Sequence, residues 1–132
     1  MNFRVKHPDT KNALSIIQAA EKELEYTKKL QLTEESAFNI IRNIYECFRM
    51  LGDAKMISEG RTSQDHIAQI KELEMLNVKT ERPIKLIDTL RRTRHNINYY
   101  GYIPTKAEAE DALSIAKTCF YPLLKKLKEM IK

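Results

Sequence analysis

Only three glycines and four prolines interrupt the 132 residues of this chain, which leaves little material for the turns that a sheet of short strands needs. No stretch alternates β-branched with polar residues, whereas apolar residues return every three or four positions through most of the length. That period lays an apolar stripe along one side of a helix. The expected fold is all-α, an up-and-down antiparallel bundle of four to five helices with short connections. A chain of this length supports one core and not two, so residues 1–132 should form a single domain.

The stripes and their punctuation place the helices. The first is expected from Thr10 to Leu30, with Ala13, Ile16, Ile17, Ala20 and Leu24 inward. The second should open at Thr33, whose hydroxyl can cap a free amide, and it carries a broad apolar arc that includes Phe38, Ile41, Tyr45 and Phe48. It is expected to run through Gly52 to the break at Ser58-Glu59-Gly60. A third helix should begin near Thr62 or Ser63 and end around Asn77, with Ile67, Ile70, Leu73 and Leu76 inward. Pro83 suits the first turn of a fourth helix, because the amide proton it lacks would be unpaired there. Leu86, Ile87, Leu90 and Ile97 should face its core. Thr105-Lys106-Ala107-Glu108 reads as a capping box opening the fifth, and Pro122 should kink that helix.

Hydrophobic residues at 42% and charged residues at 31% match a soluble globular chain. No apolar run is long enough to span a bilayer and the amino terminus lacks the apolar centre of a leader, so no membrane association and a cytoplasmic location are expected. Cys47 and Cys119 fall on apolar faces and read as reduced core thiols. His7, His66 and His95 show no ligand spacing, so neither a metal nor a cofactor is implied. The net charge of +5 leans toward an anionic partner, although the lysines of the last helix also serve as an ordinary solvated face.

The densest chemistry lies in Leu90–Tyr102, LRRTRHNINYYGY, at the end of the fourth helix and before Gly101 and Pro104. At about 100° per residue, and with Leu86, Leu90 and Ile97 setting the buried direction, Arg94 falls at the edge of the apolar stripe. Arg91, His95, Asn98 and Tyr102 follow on the adjoining side at helical spacings, while Arg92 and Tyr99 point elsewhere. Guanidinium, imidazole, amide and phenol groups in one strip suit a phosphate, RNA or nucleotide site. The competing reading pairs Arg91 and Arg94 with acidic neighbours such as Asp88.

These residues resemble the HEPN superfamily, small helical domains of prokaryotic toxins and RNA-processing enzymes. The likeness covers most of the chain in layout and is specific over Leu90–Tyr102 and the alanine-rich last helix. The family signature is an arginine followed, after four to six residues, by a histidine, and active members are metal-independent ribonucleases that dimerise so that two motifs meet. Arg94 matches the arginine, and Tyr99 stands at the histidine position. A phenol with a pKa of about 10 is a poor general base at neutral pH. The resemblance therefore implies a catalytically degenerate domain that binds RNA or a nucleotide and forms a homodimer. It also implies pairing with a minimal nucleotidyltransferase, in a toxin–antitoxin-like module, that modifies one of Tyr99, Tyr100 and Tyr102. The broad apolar arc of the second helix is consistent with a dimer.

Two alternatives remain at this level. One is an active metal-independent endoribonuclease, with Arg94 neutralising phosphate charge, His95 moving the proton and Tyr99 nearby as a third catalytic group. The other is a helical homo-oligomeric assembly module with no nucleic-acid binding.

Overall fold

The computed structural model describes residues 3–5, 7–65 and 67–132; His66 lies outside them. The fold is an all-α bundle, with helices α1 (Thr10–Lys28), α2 (Ala37–Ser58), α3 (Ala68–Glu74), α4 (Ile87–Tyr100), α5 (Lys106–Ile115) and α6 (Tyr121–Met130). Four long helical runs and one short helix result, because α5 and α6 are joined without a break by a π turn over Ala116–Phe120.

Local chemistry accounts for most of the boundaries. Asp9 caps α1 by accepting the Asn12 amide at 2.9 Å, and Ala13, Ile17, Ala20 and Leu24 are buried along one stripe. Thr33 does cap a turn, its hydroxyl accepting the Ser36 amide at 3.0 Å while Ser36 Oγ accepts the Thr33 amide. The helix proper starts only at Ala37. The Thr105 box forms as expected: Thr105 Oγ1 accepts the Glu108 amide at 3.1 Å and Glu108 accepts the Thr105 amide at 3.0 Å. Pro83 precedes a 3₁₀ turn over Ile84–Leu86 and does not itself enter α4. At Pro122 the expected irregularity takes the form of the π turn, which ends at Phe120, one residue short of the ring that can neither donate to Thr118 nor fit a regular turn there.

The third helix differs most from expectation. Arg61–Ser63 pairs antiparallel with Phe3–Val5 in a two-stranded ribbon, so helix formation is deferred to Ala68 and Ile67 stays exposed. Phe38 is also exposed, under the Arg42 guanidinium, and Ile97 is only half-buried.

The core is centred on α2, which packs against α1, α3, α4, α5 and α6. Apart from Phe38, its wide apolar arc is thus covered within the chain and no longer argues for a second copy. The Asp9 amide donates to Ile57 O, which sets α1 antiparallel to α2. Lys28 meets Tyr121 and Lys128 meets Glu21, so α6 runs antiparallel to α1. Phe48 and Phe120 meet edge to face at 5.7 Å between ring centres, closing the core between α2 and the π turn. Cys47 and Cys119 are both buried, and burial pushes the Cys47 thiol up to about 12.

Gly52 continues α2 for a tertiary reason. A Cβ there would stand 2.4 Å from the carbonyl oxygen of Gln69, so its hydrogen is what allows α3 to approach so closely. Beside this crossing Lys55 donates to Glu72 at 3.0 Å, and Arg61 pairs with the same carboxylate. Buried Lys55 and Glu72, with the partly exposed Arg61, tie α2, the ribbon and α3 together.

Candidate nucleic-acid interface

The candidate segment occupies most of α4 and the turn after it. Gly101 adopts the left-handed conformation (φ 64°), and the amides of Gly101 and Tyr102 both turn back to the Asn96 carbonyl, ending the helix. This reversal takes Tyr102 off the strip. Its hydroxyl donates to Glu108 at 2.5 Å, so it braces the α4–α5 turn through the carboxylate of the capping box. The bond raises the Tyr102 pKa. Burial pushes the Glu108 carboxyl up, but the bonds from Tyr102 and Thr105 outweigh it and leave that pKa lowered.

The three arginines have two different fates. Arg91 Nε donates to Asp88 Oδ1 at 2.7 Å and Arg92 Nε to Asp88 Oδ2 at 2.9 Å, so one carboxylate holds two guanidinium groups. The bond to Arg91, and then that to Arg92, lowers the Asp88 pKa against an opposing effect of burial. Arg94 turns back toward α2, its guanidinium carbon 5.6 Å from the ring centre of Tyr45, and no carboxylate among the described residues pairs with it. Burial raises the Tyr45 pKa, and the positive charges of Arg94, Arg49 and Arg91 partly offset that rise.

His95 lies one turn beyond Arg91, and its ring faces Tyr99 at 4.6 Å between centres and Tyr100 edge-on at 5.9 Å. The two tyrosines are 69% and 77% exposed and Ile103 beyond them is 83% exposed, so solvent meets an aromatic and apolar tip. Asn98 is exposed as well. Of the three candidate catalytic residues, His95 and Tyr99 are brought together although angular spacing had placed Tyr99 elsewhere, and Arg94 points to another helix. Residues i and i+4 share a helix face, so this pairing was available from spacing alone.

A groove of about 580 Å³ lies between α3 and α4, and the Asp88 clamp forms part of its wall. Lys71 from α3 meets Lys85, Arg91 and Arg92 from the α4 side, with Glu74 and Asp88 as the acidic members. Lys85 is legible as part of the α4 face through its spacing to Asp88, Thr89 and Arg92. Lys71 carries no such signal, since only the packing of α3 brings it there. Among the described residues no three His, Cys, Asp or Glu side chains form a metal site, and no helix is long and apolar enough to cross a membrane.

Comparison with protein-family models, curated proteins and solved structures finds no match for this chain.

Proposed function

We propose that the protein is a HEPN-like RNA- or nucleotide-binding domain that has lost nuclease chemistry. The observation that carries this reading is the state of His95. Its ring is packed against Tyr99 and Tyr100, and no carboxylate or carbonyl among the described residues accepts a hydrogen bond from it. A general base needs an orienting partner and a reacting group within hydrogen-bond reach. An imidazole tilted against one phenol ring and edge-on to another suits a place in an aromatic platform better than proton transfer. The doubly held Asp88 clamp and the separate position of Arg94 agree with a binding surface whose arginines do not converge on one scissile phosphate.

The exposed Tyr99 and Tyr100 favour the associated proposal that a minimal nucleotidyltransferase modifies this tip. The homodimer that the resemblance implies would form through another surface and leave these two rings open. The deciding experiment incubates the protein with labelled RNA in EDTA, beside Arg94→Ala and His95→Ala variants. Binding without cleavage that weakens in the His95 variant is the expected result. Cleavage abolished by both substitutions would replace this reading with the endoribonuclease, and absence of both activities would leave the assembly module.

A further inference from the structure

Along α4, Asp88, Arg92, His95 and Tyr99 succeed one another at steps of four, three and four residues, which places them on one continuous outer face. At 1.5 Å per residue this face extends about 16 Å from the Asp88 clamp to Tyr99. Its two ends differ in chemistry. The amino-terminal end opens into the groove where Lys71 and Lys85 join Arg91 and Arg92, four cations against Glu74 and Asp88. The carboxy-terminal end carries the His95, Tyr99 and Tyr100 rings, grouped within 6 Å of His95 and open to solvent.

We propose that this face, with Lys71 of α3, is a track for a few nucleotides of single-stranded RNA, the bases stacking at the ring end and the phosphates following the cations into the groove. The inference rests on the RNA-binding reading above and names the substrate class for it. Single strands are favoured because a paired base hides its faces in the helical stack, whereas an unpaired base offers a face to an aromatic ring. The Asp88 clamp has a defined task in such a track. It holds two guanidinium groups in place while each keeps further N–H donors for phosphate oxygens, and the single carboxylate leaves the pair net positive. Among the described residues Glu74 is the only other acidic side chain lining the groove. It reduces the attraction for phosphate without cancelling it. Arg94, turned toward Tyr45, lies off this face.

The test is fluorescence anisotropy in EDTA with a labelled octauridylate and a labelled RNA duplex of equal length, each at several salt concentrations. Two double variants accompany the unmodified protein: Tyr99→Ser with Tyr100→Ser, and Lys71→Gln with Lys85→Gln. The single strand should bind at least about tenfold more tightly than the duplex, and loss of the two rings should weaken it by about tenfold or more. Loss of the two lysines should weaken it less, and lower the slope of log affinity against log salt by roughly 1.4. All four side chains are exposed, and circular dichroism checks that the variants fold. Equal binding of duplex and single strand, or a lysine variant with unchanged affinity and salt slope, overturns the track while RNA binding itself stands. Binding of neither RNA overturns the broader reading as well.

Discussion

The guanidinium of Arg94 lies 5.6 Å from the ring centre of Tyr45, which joins the middle of α4 to a fully buried aromatic on the central helix. Such a contact contributes about 1 kcal/mol when partly desolvated. The arginine that best matches a nuclease signature thus has a packing role in this molecule. We expect Arg94→Ala to lower unfolding free energy by about 1 kcal/mol, read from urea denaturation. Arg94→Lys, which keeps charge but not the planar group, should recover only part of the loss. If alanine left the urea midpoint unchanged, the contact would contribute nothing to stability.

Gly52 is the position where α2 and α3 come nearest. Alanine is the better helix former by about 1 kcal/mol, yet its Cβ would stand 2.4 Å from the backbone oxygen of Gln69. Backbone cannot rotate aside as a side-chain tip can. Gly52→Ala should therefore destabilise the protein by about 1–3 kcal/mol net, as overpacked cores do. A raised melting temperature in this variant is the result that contradicts it.

Glu72 is nearly inaccessible and accepts from Lys55 while pairing with Arg61. Burial pushes its carboxyl up, but the bonds from Arg61 and Lys55 prevail and hold the folded pKa below its ordinary value. A carboxyl whose folded pKa is depressed adds stability that is complete above the unfolded value of about 4.3 and fades as pH falls through the folded one. Glu72→Ala should cost about 1–3 kcal/mol at neutral pH, because it removes the buried partner of Lys55 while Glu59, 3.4 Å away, still pairs with that lysine. Glu72→Gln should flatten the loss of stability below about pH 4. Identical acid unfolding profiles for the parent protein and the Gln variant would falsify this role.

Tyr99 and Tyr100 are largely exposed while Tyr45 is fully buried. Limited nitration, followed by peptide mass mapping, should modify Tyr99 and Tyr100 first and leave Tyr45 unmodified while the fold is intact. Addition of octauridylate should slow nitration of that pair and leave the rate at exposed Tyr26, on α1, unchanged. Equal protection of Tyr26 would show that the oligonucleotide binds without preference for the α4 tip.

Much of this architecture is legible in the amino-acid order, because helix-forming hydrogen bonds and caps involve residues only three or four apart. The stripe of Ala13, Ile17, Ala20 and Leu24, the Thr105–Glu108 box and the break near Gly60 are all of this kind. The Asp88 pairing with Arg91 and Arg92 belongs with them, being an interaction within one helix.

Tertiary packing decided the rest. The ribbon of Phe3–Val5 with Arg61–Ser63 shortened the third helix, since strand pairing joins segments whose proximity no local pattern encodes. Rotation of α4 against α2 carried Arg94 to Tyr45, and the left-handed turn at Gly101 sent Tyr102 to Glu108 and not along the strip. The seating of α3 on α2 brought Lys71 opposite Lys85 and opened the groove. Sequence periodicity by itself determined which face of each helix is buried; the rotation and crossing of whole helices, set by how distant side chains pack, determined which polar groups meet on the faces left outside.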